Sequence, residues 1–226
     1  MPELPDVEVY LSALTARVVG EPLRGIRLAS SFLLRPVTPP VASFVGEPVR
    51  AVRRIGKRIV FVFDADRFLV VHLMIAGRFH WKAAGAKVPG RIGLAAFDFP
   101  RGTLTLTEAG SKKRASLHAL DGTGALEALD PGGLDVLEAD RDTFVATLTR
   151  ERHTLKRALT DPHLLSGIGN AYSDEILHHA RLSPVTMSDR LSAEDLTRLH
   201  ASTQRVLRAW IARLHAEAAD GFPEHV

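Results

Sequence analysis

The sequence contains no cysteine among its 226 residues. Disulfides, thiolate nucleophiles and cysteine-ligated zinc or iron–sulfur sites are therefore excluded for this chain. A zinc site would need histidine and carboxylate ligands, but His72, His118, His178 and His179 are not at metal-ligand spacing with acids on one helix face. We interpret these histidines as ordinary polar or partly buried residues, and we expect no metal ion and no other cofactor in this chain.

Long apolar runs are also missing. No run approaches the ~20 residues that a membrane span requires, and the N-terminus MPELPDVEVY has neither the basic start nor the apolar stretch of a signal peptide. We therefore expect a cytoplasmic protein. Hydrophobic residues make up 46% and charged residues 24%, which is typical of a globular protein with a packed core.

The net charge is only +3, but the cations cluster in two places. Residues 50–58 hold five cations and no acid, and residues 112–114 hold three cations. Each cluster alone is typical of a solvated charged face. Both clusters flank strand-like segments, and for either cluster alone we favour the solvated face.

The order of sequence patterns predicts an α+β protein with two domains. Apolar residues at helical spacing predict a first helix from Asp6 to Val18, and a Gly-rich stretch at 121–133 marks a domain boundary. We predict an N-terminal helix plus β-sandwich over residues 1–125, and an all-α domain over residues 126–226. The predicted strands are 58–63, 68–74, 93–99 and 103–107; the predicted helices of the second domain are 139–150, 154–160, 171–180 and 192–218, the last with Ser192 as N-cap.

Pro2 and Glu3 carry chemistry only if Met1 is removed. Pro2 then has a secondary amine, which is a nucleophile that forms an iminium with a sugar aldehyde carbon. The adjacent Glu3 is placed to move protons to and from the opened sugar. The alternative is simpler, because prolines and acids are common in the first turn of any helix.

A Gly-x-Gly-Asn turn joins two predicted helices at Gly167, Gly169 and Asn170, and Lys156 lies on the preceding helix. Backbone N–H groups at such a turn approach phosphates closely, and a helix N-terminus favours anions. The turn alone is weak evidence, since glycine often joins helices. Asp174 and Glu175 in the next helix are expected to be structural.

Four segments together resemble the formamidopyrimidine-DNA glycosylase and endonuclease VIII family. The start of the chain is close to the family's MPELPEVE, with Asp6 in place of the usual glutamate. Gly56-Lys57-Arg58 opens a strand as the family's hairpin lysine does, and HLMIAG at 72–77 resembles HLGM-small-Gly. GIGNAYSDEIL at 167–177 matches the helix-two-turn-helix pattern GxGNxYxxExL, and the start resembles the oxidised-purine branch more than the oxidised-pyrimidine branch.

The resemblance implies a monomeric, nucleoid-associated repair enzyme that flips oxidised bases out of duplex DNA, excises them and then nicks the backbone. Its implied substrates are double-stranded DNA with oxidised bases or abasic sites. Pro2 is the implied nucleophile and Glu3 the implied acid/base. Lys57 is implied to lie with them at the catalytic centre, where it contacts a phosphate. The residues implied to bind DNA are Lys156, Gly167, Gly169, Asn170, Tyr172 and Arg114.

Three departures from the family pattern affect this interpretation. The family's void-filling methionine aligns with Ile75 rather than Met74, so either side chain is a candidate to fill the gap left by a flipped base. The family's Asp-Pro-Arg-Arg-Phe-Gly loop is replaced from Glu108 to Ala115, which predicts weaker opposite-base discrimination, or discrimination by Arg114 or Lys113. The chain also ends where the family continues into a zinc finger, so we expect either a shortened chain or a zinc-free variant.

Two other classes of function stay open at this stage. One is a non-catalytic module that recognises damaged DNA through the turn and the hairpin; the other is an RNA or ribosome-associated binder. Pro2 and Glu3 discriminate among them, because only the enzyme requires that pair to be trimmed and exposed.

Overall fold

The computed structural model describes residues 1–36, 38–219 and 221–223. The chain divides into two compact units. The first comprises Met1–Pro2, Asp6–Leu129 and the described residues from Leu214 onward, and the second comprises Glu3–Pro5 and Asp130–Arg213.

Two four-stranded antiparallel sheets form most of the first unit. The first sheet has the order β1-β6-β7-β5 and the second the order β2-β3-β4-β8. The strands are β1 Gly25–Leu28, β2 Ala51–Ile55, β3 Arg58–Phe63, β4 Arg67–His72, β5 Gly77–Lys82, β6 Gly93–Phe99, β7 Gly102–Glu108 and β8 Ser116–Asp121.

Alternating side chains of β3 explain how the second sheet packs. Ile59, Phe61 and Phe63 point into the main core, which they share with residues of the first sheet and of helix α1, Leu4–Val18. Val60, on the opposite face, packs in a smaller cluster with Phe68 and Leu126. Because both faces of β3 are covered, its sequence is a nearly continuous apolar run.

Helices form the second unit, and local capping explains where several of them begin. The carboxylate of Asp140 accepts a hydrogen bond from the Thr143 N–H, and the Ser192 hydroxyl accepts one from the Asp195 N–H at 3.0 Å. The N-cap predicted at Ser192 is thus confirmed. Among the described residues the other α-helices are α2 Thr123–Glu127, which belongs to the first unit, and α3 Arg141–Thr149, α4 Leu155–Thr160, α5 Asn170–Ala180 and α6 Ala193–Ala218.

The predicted fold class is confirmed: a helix and two antiparallel sheets are followed by a helical region. Helix α2 lies inside the stretch 121–133 that was predicted as the domain boundary, and strands β1, β2, β5 and β8 were not predicted. The compact units also divide differently from the predicted ranges 1–125 and 126–226, because Glu3–Pro5 lies in the helical unit and residues from Leu214 onward lie in the β unit. In the described part of the chain, no helix has the length and apolar character needed to cross a membrane.

Candidate active site

The carboxylate of Glu3 binds the N-terminus of helix α5. Its Oε2 atom accepts hydrogen bonds from the N–H groups of Gly169 at 2.7 Å and Tyr172 at 3.2 Å, and its Oε1 atom accepts one from Ala171 at 3.0 Å. Glu3 is only 2% exposed. The first turn of a helix has N–H groups without intrahelical partners, and a carboxylate there also complements the helix dipole. This contact fixes the N-terminal residues against the Gly-x-Gly-Asn turn.

Gly167 makes a close approach of the N-terminal segment possible. Its φ of +85° lies in the region that favours glycine, and an added Cβ would lie 2.9 Å from the Cβ of Leu4. The Leu4 N–H donates a hydrogen bond to the Gly167 carbonyl at 2.9 Å. A side chain at position 167 would therefore conflict with both the backbone conformation and the packing of Leu4.

Pro2 precedes Glu3 directly and is buried, whereas Met1 is 45% exposed. While Met1 is attached, the Pro2 nitrogen belongs to an amide and has no nucleophilic lone pair. Removal of Met1 converts it to a secondary amine one residue from the bound Glu3 carboxylate.

The turn offers fewer free amides than the sequence suggests. The N–H of Gly169, which the sequence assigns to DNA, donates to Glu3 in this structure. Tyr172 is 8% exposed, and its ring contacts Trp210 edge to face at 5.8 Å between centroids. Asn170 is exposed, so the carboxamide of Asn170 is the group of this turn best placed to meet a phosphate.

Lys156 lies beside this turn but is engaged within the helical unit. Its Nζ atom donates to the Asn170 carbonyl at 2.7 Å and pairs with Asp174 Oδ1 at 2.6 Å. The ammonium group is thus held next to Asn170, with part of its charge balanced by Asp174.

Lys57 lies in the β unit, in the tight turn between β2 and β3 that Gly56 makes with a φ of +57°. Arg58 follows it and is directly opposite His72 on β4. Burial, the charges of Arg58 and Lys57, and His118 lower the pKa of His72 from 6.5 to about 4. The pKa of His118 is also lowered, by burial and by the nearby cations Arg58 and Arg35. This end of the sheet therefore carries a positive field that suits a phosphate.

The segment after β4 separates the two void-filling candidates. Met74 has a φ of +54°, which is unfavourable for a side chain with a Cβ. Ile75 is 55% exposed, whereas Met74 is only partly exposed. Because Ile75 is the more exposed of the two, it is the better candidate for the side chain that projects outward.

The loop after β7 is held by an acid that the sequence did not single out. Glu108 is 2% exposed, and its carboxylate accepts hydrogen bonds from the N–H groups of Arg114 and Ala115. Lys113 donates to the Glu108 carbonyl, whereas the side chain of Arg114 is exposed. The sequence offered one signal for this role: Glu108 directly follows a predicted strand and is itself followed by the turn residues Ala-Gly-Ser.

Across residues 1–36, 38–219 and 221–223, no group of three or more His, Asp or Glu side chains is arranged to hold a metal ion.

Comparison with known proteins places this architecture in one class. The model of the formamidopyrimidine-DNA glycosylase N-terminal domain matches residues 1–114, and the model of the formamidopyrimidine-DNA glycosylase H2TH domain matches residues 131–218. The formamidopyrimidine-DNA glycosylase of Acidothermus cellulolyticus is 32% identical over 217 residues, with 92% of this chain and 76% of that protein covered. That of Thermobifida fusca is also 32% identical, with 94% and 78% covered.

Solved structures show the same fold. The complex of Lactococcus lactis Fpg with DNA containing an abasic site has a TM-score of 0.84 and 23% identity, and covers 93% of this chain and 78% of that one. MutM in complex with DNA containing carbocyclic 8-oxo-G also has a TM-score of 0.84, with 93% and 80% covered. The chain belongs to the formamidopyrimidine-DNA glycosylase family.

Proposed function

We propose that this chain removes oxidised bases from duplex DNA through the amine of Pro2, which becomes available when Met1 is removed. Membership of the family makes the chain a DNA glycosylase of base excision repair that also has lyase activity and acts on DNA with oxidised bases or abasic sites. The Glu3 contact with the first turn of α5 is the observation that supports the proposed mechanism most directly.

The proposed reaction begins with extrusion of the damaged nucleotide. A base inside the duplex is inaccessible, and flipping it out costs a few kcal/mol. The Pro2 nitrogen then attacks the sugar carbon that bears the base, and the bond from that carbon to the base breaks. The Pro2 nitrogen loses its proton, the bond from the same carbon to the ring oxygen breaks, and that oxygen takes up a proton, so that the sugar opens to an iminium. The iminium makes a proton on the neighbouring sugar carbon acidic, and loss of that proton breaks the bond to the 3′ phosphate and nicks the strand.

Glu3 is the proposed proton carrier for these steps. Its three hydrogen bonds to backbone N–H groups hold the carboxylate one residue from the nucleophile. The carboxylate both accepts these hydrogen bonds and is the group that exchanges a proton with the sugar. The same contacts position the group and leave it capable of chemistry.

Phosphate contacts offset the cost of flipping. In the helical unit we assign this role to the exposed carboxamide of Asn170, with Lys156 held beside it. In the β unit we assign it to Lys57, whose neighbours Arg58 and His72 lie at the same end of the second sheet. Ile75 is the proposed side chain that fills the gap in the duplex, because it is the more exposed of the two candidates.

The proposed chemistry needs no cofactor, since the amine, the carboxylate and the phosphate contacts all come from this chain. We further propose that the protein acts as a monomer on the nucleoid, within the cytoplasm.

Single-turnover strand cleavage tests the function against a non-catalytic damage-binding module. Protein with Met1 confirmed absent by mass spectrometry is incubated with a duplex containing one oxidised guanine and with its undamaged counterpart. We expect base release and nicking of the damaged strand only, and loss of both in Pro2→Gly. Tight binding to the damaged duplex without any base release would support the binding module and contradict the proposal.

A further inference from the structure

Phe32 is an exposed aromatic side chain of the β unit that the proposed chemistry does not use. It lies in a short 3-10 helix, Ser31–Leu33, and is 78% exposed, whereas the next residue, Leu33, is 2% exposed and packs in the main core. Because Leu33 anchors this turn in the core, the position of the preceding ring is fixed at the surface. A single exposed apolar side chain is ordinary, so the role of Phe32 has to be judged from its surroundings.

On one side, Phe32 lies beside the first residues of β8. Leu34 forms a parallel bridge with Leu117, and the Arg35 N–H donates to the Leu117 carbonyl at 2.8 Å. Because this pairing is parallel, the residues before Leu34 run beside the residues before Leu117. Phe32 therefore lies next to the loop 109–115, which leads into β8.

On the other side, the segment that contains Phe32 borders the turn at residues 90–93. The Ala29 N–H donates to the Leu94 carbonyl at 2.8 Å, in continuation of the pairing of β1 with β6. Ile92 in this turn is 41% exposed. Two exposed apolar side chains thus lie at one edge of the β unit.

This edge is positively charged. Residues 29–36, 88–93 and 109–116 together hold five cations and no acid. Within the described ranges, the exposed guanidinium groups of Arg35 and Arg91 make no hydrogen bond or ion pair. An apolar ring among unpaired cations suits a polyanion that also offers aromatic faces, and a nucleic acid with an unstacked base is such a partner.

The order of segments along the second sheet relates Phe32 to the lesion. Three residues in register mark one end of this sheet: Arg58 of β3, His72 of β4 and Ser116 of β8. Lys57 lies just before β3 and Ile75 shortly after β4, both at this end. The segment of Phe32 lies beyond β8, three strand spacings from β3, which is roughly 14 Å. Lys57, Ile75 and Phe32 thus follow one another across the end of the sheet.

We propose that Phe32 stacks on a base of the complementary strand beside the lesion. The inference rests on the proposed function, in which Lys57 holds a phosphate and Ile75 fills the gap of the flipped base, so that a ring further along the same line meets the opposite strand. Bases of an intact duplex cover one another and offer no free face until a nucleotide is flipped out. Phenylalanine has no hydrogen-bonding group in its side chain, so the contact adds affinity for an opened duplex and does not depend on the identity of the base.

Equilibrium binding tests this contact with an undamaged duplex and with a duplex that contains a chemically reduced abasic site, which the protein does not cleave. Phe32→Ala should weaken binding to the abasic duplex about tenfold, a loss within the range found when one aromatic side chain is removed from a base. Binding to the undamaged duplex should stay within about twofold, because its bases remain stacked. The dependence of both affinities on salt should not change, because no phosphate contact is removed.

Two further variants separate stacking from other effects. Phe32→Trp keeps an aromatic face and should bind the abasic duplex within about twofold of the unmodified protein. Val185→Ala removes an apolar side chain that is 74% exposed in the helical unit, and as the matched control it should leave both affinities unchanged. The loss in Phe32→Ala should be the same with each of the four bases opposite the abasic site.

Cross-linking locates the contact, because the chain has no cysteine of its own. Phe32→Cys is mixed with an abasic duplex in which one complementary-strand base beside the site carries a tethered mixed disulfide. Attack of the thiolate on the tethered sulfur joins protein to DNA and releases the small thiol. We expect this cross-link, but little cross-linking when the tether is on the damaged strand or when Val185→Cys replaces Phe32→Cys.

Three results would overturn the inference while the proposed function stands: unchanged binding of the abasic duplex by Phe32→Ala, equal weakening of both duplexes, or cross-linking to the damaged strand alone. Absence of base release from an oxidised-guanine duplex by the unmodified protein would instead refute the proposed function and, with it, this inference.

Discussion

Replacement of Glu3 tests how one carboxylate serves both the fold and the chemistry. In Glu3→Ala the N–H groups of Gly169 and Tyr172, both in buried residues, lose their acceptor. Each such loss costs ~1–3 kcal/mol, so we expect the free energy of unfolding to fall by about 4 kcal/mol in total. The exposed Ala171 adds little, because water replaces its acceptor.

Glu3→Gln should behave differently because of which oxygen each donor uses. Gly169 and Tyr172 both donate to Oε2, so a single carbonyl oxygen in the glutamine keeps both contacts. The N–H of Ala171, which donates to Oε1, meets the side-chain NH2 group of the glutamine instead. With the loss of negative charge at the helix N-terminus, the expected cost is about 1 kcal/mol.

Urea unfolding measures both variants, and single-turnover excision measures their chemistry. Glu3→Gln should lose excision by about 100-fold or more despite its small loss of stability, because an amide does not carry the proton. Glu175→Gln, an exposed acid on the same helix, is the control and should stay within about 0.5 kcal/mol of the unmodified protein. The structural role of Glu3 would be refuted if the free energies of unfolding of Glu3→Ala and the unmodified protein agreed within that margin. Its chemical role would be refuted if Glu3→Gln excised the base at the full rate.

Three further predictions follow from local geometry. Burial and nearby cations lower the pKa of His72 to about 4, so between pH 6.5 and 4 the unfolded chain binds a proton that the folded chain does not, and the folded state loses stability as the pH falls. In His72→Gln the free energy of unfolding, measured with urea, should fall by about 2 kcal/mol less over this pH range than in the unmodified protein. An unchanged dependence of stability on pH would contradict this. Gly167→Ala should lower the free energy of unfolding by at least about 2 kcal/mol, because the added Cβ meets Leu4. Gly122→Ala should lower it by about 1 kcal/mol, because Gly122 has the same φ of +85° but an added Cβ there would meet open space. Equal losses of stability in thermal unfolding would show that contact with Leu4 is unimportant. Met74→Gly should be more stable than Met74→Ala by about 1 kcal/mol, since only alanine keeps the strain of a φ of +54°, and the reverse order would refute that strain.

Local patterns in the sequence predicted the long elements correctly. The apolar run at Arg58–Phe63 and the helical stripe before Ala218 are confirmed, because their periodicity reflects burial by the rest of the fold. Strands β2 and β5 were missed because charged and polar residues interrupt them: Arg53 and Arg54 lie in β2, and His80 lies in β5. Their strand conformation depends on pairing with β3 and β7, which local composition does not reveal.

Contacts between distant residues explain what the sequence did not predict about the site. Glu3 and Gly169 are 166 positions apart, so the sequence indicated an anion site at the turn without showing that the chain's own carboxylate occupies it. The need for glycine at position 167 likewise depends on a distant residue, because Leu4 leaves no room there for a Cβ. Glu108 was overlooked because a buried acid and an exposed acid look alike in sequence.

Identification of the residue that bonds to DNA tests the central claim, that the Pro2 amine is the nucleophile. Protein with Met1 removed is mixed with a duplex containing an abasic site, the imine is reduced with borohydride, and the adduct is digested and mapped by mass spectrometry. We predict a covalent adduct on the N-terminal peptide, at Pro2, and its loss in Pro2→Gly. An adduct that maps to Lys57 or Lys156, or the absence of any adduct, would contradict the account.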